Sequence, residues 1–457
     1  MRVLKFGGSS LATGQRFIEV ANIIKNKSQS SRLAVVVSAP QGVTNHLVAM
    51  AENISDEDKL KSDLLHFKHA IDNIIEDLSA RLPKFCPQHS EQVLAHWEQQ
   101  LSRYLHGATL LSFCPEHVRA RIISIGERLS VALLQSVLAA DEYQVSVIEP
   151  ERFLRTNDVA MNAVADLVLC KDTFQDVYSD LNAIALMPGF IGVDSLGNIT
   201  TLGRNGSDYS AAVLAVCSEA EYCEIWTDVD GVYTCDPRVV SNAKKIDEIS
   251  YDEMLEMASS GSKVMQSRSV EFAKKFGVKF EVKSSLNNNP GTIVTEEHPN
   301  MESVVVRGIS IEKEQAKVTI ENVSDEPGVA SKIFHAISDS GVIIDMIVQN
   351  VSKTNHTDIS FTLHRSDLKK AKQTIEPMLE NLGGNVEMET TDGIGKLSVV
   401  GIGMRSHSGV AAQMFSALAK GGINIQMIST SEIKTAVIIE ENGLEEAANI
   451  VHEAFKL

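Results

Sequence analysis

A chain of 457 residues, 44% of them hydrophobic and 22% charged, has the composition of a soluble globular protein with space for roughly two to four separately cored domains. Its net charge of −18, from 60 acidic and 42 basic residues, excludes nonspecific nucleic-acid or anionic-membrane binding as the main activity. A local basic site can still hold a nucleotide. The six cysteines (Cys86, Cys114, Cys170, Cys217, Cys223 and Cys235) form no CxxC pair and no Cys/His spacing suited to zinc. With no leader and no membrane-length apolar run, free thiols in a cytoplasmic enzyme are expected.

The chain opens on a strand at Val3-Leu4, followed by Lys5-Phe6-Gly7-Gly8-Ser9-Ser10 and a helical pattern from Gln15 to Lys25. A strand ending in two glycines and two hydroxyls before a helix makes a concavity for an anion, because backbone N–H groups approach phosphate where no Cβ intrudes. Lys5 puts a positive charge at its mouth. Leu33 to Val37 is a second strand, stopped by Ser38-Ala39-Pro40, which gives the start of a βαβ unit. Thr44-Asn45, after the Pro40–Gly42 turn, offers hydrogen bonds to a carboxylate or a plain helix cap.

Residues 51–140 carry Leu60, Leu64, Ile71, Ile74, Ile75 and Leu78 at helical spacing, so a helical excursion is expected there. Its histidines and charges read as a solvated helix face. Gly126-Glu127 precedes a helical run, where a carboxylate beside a cleft suits a substrate ammonium. From Val145 to Gly291 the α/β alternation returns, with strands at Val145–Ile148, Ala183–Met187 and Cys223–Trp226 and a helix at Ser210–Ser218.

Arg204-Asn205-Gly206-Ser207-Asp208 lies between a strand (Ile199 to Leu202) and a helix read from Tyr209 onward, with Ser207 and Asp208 as cap candidates. An arginine at such a helix start suits a carboxylate. Trp226 to Arg238 ends a buried strand at Thr227-Asp228, where open α/β sheets gather their ligands, and continues as a hairpin with turns at Asp230-Gly231 and Asp236-Pro237-Arg238. Asn287 to Gly291 is the strongest loop signal, and a domain boundary is placed between 291 and 304. Beyond it lies a gap-free repeat: Gly328 to Asn350 aligns with Gly409 to Ser431, pairing Phe334 with Phe415, Gly341 with Gly422 and Met346 with Met427. Each copy reads as a βαββαβ module.

Five segments in order (KFGGSS, SAPQGVTN, Gly126-Glu127, LGRNGSDYSAA and WTDVDGVYTCDPR) resemble aspartokinases of the amino-acid-kinase family. The repeat resembles their paired ACT domains, and the likeness covers essentially the whole chain. It implies an α/β fold: a three-layer sandwich catalytic domain over 1–298, with 51–140 largely helical, then ferredoxin-like ACT modules over 305–390 and 391–457. It also implies MgATP-dependent phosphorylation of the L-aspartate β-carboxylate to 4-phospho-L-aspartate, the first step of lysine, threonine and methionine biosynthesis.

Carried onto this sequence, Lys5, Asp208 and Arg204 are the catalytic residues, and Thr44, Glu127, Arg204 and Ser207 bind aspartate. Lys5, Gly7, Gly8, Ser9, Thr227, Asp228, Tyr233, Asp236, Arg238 and Lys263 bind ATP, and no side chain is assigned to a metal. The effector set is Asp325, Gly328, Val329, Ala330, Asp345, Met346 and Gln349, completed across the module interface by Val410, Asn424, Ile425, Ser431 and Glu432. Lysine is the favoured effector, with threonine, or the two together, next. The kinase half is most similar to that of bifunctional aspartokinase–homoserine dehydrogenases and the regulatory half to monofunctional lysine-sensitive enzymes. A homodimer through the ACT modules, or a homotetramer, is implied. No Walker loop, kinase HRD or DFG set, or GxGxxG is present. The competing readings are a sister kinase acting on glutamate or acetylglutamate, and a catalytically silent amino-acid sensor.

Overall fold

The computed structural model describes all residues except 179–180, 182, 262–263, 299–300, 302–303, 351–355 and 383–385. It divides into two units: Met1–Val232, Asp247–Tyr251 and Val264–Glu296 form the first, and Tyr233–Ile246, Asp252–Lys263 and Glu297–Leu457 the second.

In the first unit, β1 (Arg2–Phe6) leads through a short 3-10 turn (Gly8–Leu11) to α1 (Gly14–Ser28), whose first turn is capped by the Thr13 hydroxyl accepting from Arg16 N–H. β2 (Leu33–Val37) is buried at every position, as a central parallel strand must be. The excursion consists of α2 (Val43–Glu52), α3 (Glu57–Arg81, capped by Asp56), α4 (Pro87–Leu111), α5 (Glu116–Ile123) and α6 (Ile125–Ala140). One expected core position fails: Leu64 is exposed, and Phe67, one turn on, is fully buried with Ile71, Ile74, Ile75 and Leu78. The 3.6-residue period drifts across a 25-residue helix, so one apolar stripe cannot face the core along its whole length. The stretch Glu116–Ala140 is long and apolar enough to cross a membrane, yet 83% of its most apolar window is buried inside the protein, where α6 packs on the sheet.

The chain continues through β3 (Val145–Val147), α7 (Pro150–Phe153), α8 (Leu167–Tyr178), β4 (Ile184–Pro188), the hairpin β5 (Ile191–Val193) and β6 (Ile199–Thr201), α9 (Gly206–Cys217) and β7 (Tyr222–Thr227). A short ribbon of β8 (Val232–Tyr233) and β9 (Lys245–Ile246) follows, then β10 (Glu248–Ser250), α10 (Tyr251–Ser259), α11 (Ser267–Phe276), β11 (Lys279–Ser284) and β12 (Thr292–Thr295). The eight-stranded sheet has the order β10-β12-β11-β7-β1-β2-β4-β3. It is parallel from β11 to β3, with β12 antiparallel to β11. α9 packs on β1, β2 and β7, while α6 packs on β2, β3 and β4 beside α1, so the buried strands lie between helical layers. The carboxyl ends of β1, β2, β4 and β7 therefore share one edge.

The second unit holds β13 (Gly308–Ser324), α12 (Val329–Asp339), β14 (Ile344–Gln349), β15 (His356–His364), α13 (Leu368–Ile375), β16 (Glu387–Val400), α14 (Val410–Lys420), β17 (Met427–Thr430), β18 (Lys434–Glu440) and α15 (Leu444–Phe455). Their sheet runs β14-β15-β13-β16-β18-β17. The repeat is exact in conformation where it matters: Gly328 and Gly409 each precede an 11-residue helix at φ +98°, a value that favours glycine. β13 and β16 are long antiparallel partners whose register shifts between Glu312 and Lys317. On one side of that irregularity Ile309 joins the core of the second module, with Leu397, Val399, Met414 and Val437. On the other, Ala316, Val318 and Ile320 join the core of the first, with Ile333, Ile337 and Phe361. Each long strand thus serves both modules.

Candidate active site

Lys5 lies near the end of β1, 8% exposed, with Nζ 2.5 Å from Oδ1 of Asp208, itself 4% exposed in the first turn of α9. The contact is a buried ion pair. Such a pair leaves the ammonium with donors to spare. The backbone then turns sharply. Gly7 N–H donates to Trp226 O (3.1 Å) and Ser10 N–H to Gly7 O (3.0 Å). Among the described residues no hydrogen bond occupies the Gly8 and Ser9 N–H groups. A Cβ at Gly8 would sit 2.9 Å from Ala39 O, so β1 and β2 can end this close together only with glycine there. Ser10 is committed to structure, its hydroxyl 2.8 Å from that of Ser285, whereas Ser9 is half-buried at the rim.

Glu127, in the first turn of α6, is 4% exposed, with the backbone N–H groups of Ala39 and of its own residue beside its carboxyl. Burial pushes its carboxyl up to about 7, with those N–H groups and Arg128 opposing the rise. One of its oxygens has no hydrogen-bond partner among the described residues. A buried carboxyl with spare acceptor capacity suits a cationic group. Thr44 is half-buried in the first turn of α2, after Gly42 in the left-handed region (φ +83°).

The loop before α9 differs from expectation. The helix begins at Gly206, and its cap is Asn205 in the left-handed region (φ +51°), with Ser207 and Asp208 inside the first turn and no side-chain cap. Gly203 sits at φ +81°, a backbone conformation that favours glycine. This kink leaves Arg204 exposed, and its guanidinium has no partner among the described residues. Arg268 was not legible as a site residue. From α11 it donates to Leu202 O (3.0 Å) and Ala163 O (2.6 Å) and stacks over Tyr209, bracing the loop that carries Arg204. A lone arginine on an amphipathic helix gives no sequence signal of such a role.

Thr227 is half-buried at the end of β7 and donates to Asp228 Oδ1 (2.9 Å), and Asp228 is exposed. Tyr233, Asp236 and Arg238 belong to the second unit. There Asp236 grips Arg238 through Nε (3.0 Å) and Nη2 (2.7 Å), so the aspartate holds the arginine's orientation. Lys263 lies outside the described residues.

The amino acid kinase family model matches residues 1–284, and the ACT domain model matches 318–378 and 397–455. An aspartate kinase of Stutzerimonas stutzeri is 40% identical, covering all of this chain and 97% of its own. An aspartokinase of Helicobacter pylori is 36% identical, covering all of this chain and 99% of its own. The chain belongs to the aspartokinase family. This aspartokinase is an ATP-dependent kinase with ACT regulatory domains. Its fold is similar along its whole length to E. coli aspartokinase III in complex with aspartate and ADP (R-state), with a TM-score of 0.83 and 26% identity, covering all of both chains. The same enzyme in complex with lysine and aspartate (T-state) superposes with a TM-score of 0.81 at 27% identity, covering 99% of that chain.

In the regulatory unit of this aspartokinase, Asp325, Gly328, Val329, Ala330 and Gln349 line a half-open depression of about 410 Å³ with Glu326 and Thr357, at the start of α12. Other members of the expected effector set sit elsewhere. Met346 is 6% exposed in an apolar cluster with Ile394, Met427 and Ile438. The Asp345 carboxylate is taken by Lys396 Nζ (2.5 Å), which also meets Glu312 (2.8 Å). Burial alone would lower the Lys396 ammonium, but the two carboxylates outweigh it and hold it above the usual lysine range. Val410, the counterpart of Val329, is buried, Glu432 is 3.6 Å from Arg405, and Ser431 N–H donates to Lys434 O (2.8 Å). Asn424 is exposed and Ile425 packs partly against the core of the second module.

Proposed function

We propose that the protein transfers the γ-phosphoryl group of ATP to the β-carboxylate of L-aspartate, giving ADP and 4-phospho-L-aspartate, as the entry to lysine, threonine and methionine biosynthesis in the cytoplasm. The observation that carries this reading is the Lys5–Asp208 pair set beside the Gly7-Gly8-Ser9 turn at the carboxyl edge of the sheet. The turn is a cradle that a side chain would fill, and its free N–H groups, with Lys5 and Ser9, fit phosphate oxygens.

A carboxylate is already nucleophilic at neutral pH, so no general base is required. What remains is alignment and neutralisation of charge on the transferring group. In this reading Asp208 aims the Lys5 ammonium at the phosphoryl oxygens. Arg204 takes the aspartate α-carboxylate, Glu127 takes its ammonium, and Thr44 and Ser207 hydrogen-bond the substrate. Thr227 and Asp228 lie at the nucleotide side of the edge, and Tyr233, Asp236, Arg238 and Lys263 keep the ATP role that their motif implies. Mg²⁺, held chiefly by the nucleotide's own phosphate oxygens, supplies further charge neutralisation.

For the regulatory unit we propose lysine as the inhibitor. Asp325 and Glu326 put two carboxylates beside the start of α12, which suits an amino acid with a second positive charge. Inhibition then requires that lysine bind an inactive arrangement better than an active one. The assembly proposed is a homodimer through the ACT modules or a homotetramer; sedimentation showing only a 49.8 kDa species, with and without lysine, would count against it.

A coupled ADP-release assay tests the whole reading. Turnover is expected with aspartate and not with glutamate or N-acetylglutamate, and lysine should inhibit more strongly than threonine or methionine. Turnover on another acid alone, or none on any, overturns the assignment.

A further inference from the structure

The helical excursion carries a side-chain cluster that the kinase reading does not use. His46 stands on α2, and Asp63 and His66 are three apart on α3, hence on one face of that helix. The packing of α2 on α3 brings them together. His46 Nδ1 is 3.5 Å from Asp63 Oδ1, the two imidazole rings lie 5.5 Å apart, and one donor atom from each residue falls within 4.8 Å of the others. Their burial grades outward, His46 and Asp63 partly covered and His66 exposed, so the cluster is reachable from solvent.

From this geometry we propose that His46, Asp63 and His66 form a binding site for a zinc-like divalent transition-metal cation that ties α2 to α3. Two imidazoles and a carboxylate are a donor set for Zn²⁺ and its neighbours in the first transition row, whereas Mg²⁺ and Ca²⁺ prefer oxygen throughout. Ligands about 2.0–2.1 Å from a tetrahedral metal are roughly 3.4 Å from one another. Reaching that from donor separations of up to 4.8 Å closes gaps of up to about 1.4 Å, a distance within reach of side-chain rotation, with water as the fourth ligand. A merely solvated helix face accounts for any one of these side chains, but gives no reason for three donors from two helices to converge. Sequence spacing alone hides the set, because the end of α2, a turn and the start of α3 lie between His46 and Asp63, which are 17 positions apart.

Tag-free full chain, stripped with EDTA and with its thiols alkylated, would be titrated with Zn²⁺ by calorimetry and with Co²⁺ by visible absorption. His46→Gln, His66→Gln, Asp63→Asn and the double histidine variant would be titrated alongside. The expected result is one Zn²⁺ per chain, ligand-field bands of tetrahedral Co²⁺, and a Tm that rises with Zn²⁺. Each histidine variant should lose at least the roughly 10–100-fold that disturbing a metal site's outer shell costs, and the double variant should not bind. With Mg²⁺ supplied in the assay, kinase activity of the zinc-free variants should match that of the zinc-free parent, which also shows that they fold. Unchanged stoichiometry and affinity in the double variant, or no uptake by the parent, overturns the proposal.

Discussion

Each unit buries a lysine against carboxylates, and the two lysines are used differently. Lys396, 2% exposed, is closed off: Asp345 and Glu312 both face its ammonium, and its charge is held in place by them. Among the described residues Lys5, 8% exposed, has a single carboxylate partner and sits beside a glycine turn with unoccupied N–H groups. An ammonium has three donors. Where two are answered by the protein's own anions, the lysine joins strands β13, β14 and β16. Where one is answered, the remainder is available to a ligand. Unsatisfied capacity, rather than burial, separates the lysine proposed to meet phosphate from the one enclosed by carboxylates.

The sharpest way to break this contrast is to remove each lysine. Lys5→Ala should lower kcat on the order of 10²–10³-fold or more in a chain whose circular dichroism is unchanged. Near-normal kcat in the folded variant would place Lys5 with Lys396 as a structural residue. Arg204→Ala is expected to raise the KM for aspartate by about 10–100-fold, the worth of a charged hydrogen-bonded contact, with the KM for ATP nearly unchanged. A parallel rise in both would show that the loop is positioned for something other than the amino acid.

Lys396→Met should leave uninhibited kcat intact and cost about 1–2 kcal/mol of stability in the regulatory unit, less than a fully buried pair because Asp345 and Glu312 are each about a third exposed. Thermal unfolding measures this, and a large loss of basal turnover would refute a purely structural role.

The smallest effect concerns pH. Glu127 has its carboxyl raised to about 7 in the fold, against about 4.3 in an unfolded chain. The folded state binds more protons between those values, so the Glu127 contribution makes stability fall as pH rises from about 4 to 7 and level off above that. Binding runs the other way: only the ionised carboxylate attracts an ammonium, so aspartate KM should improve a few-fold as pH rises through 7. Glu127→Gln should abolish that dependence and weaken aspartate binding at pH 8. A pH profile identical in the variant would remove Glu127 from the substrate site.

Much of this architecture is legible in residue order. Leu33 to Val37 read as a strand of a βαβ unit, which the structure buries at every position, and Gly328 and Gly409 opened the repeated segments whose helices the structure starts at equal φ. The glycine turn after β1 was likewise readable, because such turns at strand ends are local features. Other residues were not. Arg268 braces the Arg204 loop from 64 positions away, and Lys396 meets Asp345 across 51. Phe67 rather than Leu64 entered the core because helix drift is decided by what packs against it.

By itself, then, the order of amino acids set which segments became strands and which turns required glycine, since these follow from backbone sterics and apolar periodicity over a few residues. Only the assembled fold decided which carboxylate each buried lysine met, which effector candidates stayed at the surface, and how His46 came to face His66. Those pairings are long-range, and desolvation and Coulomb attraction act on distances in space that sequence separation does not encode.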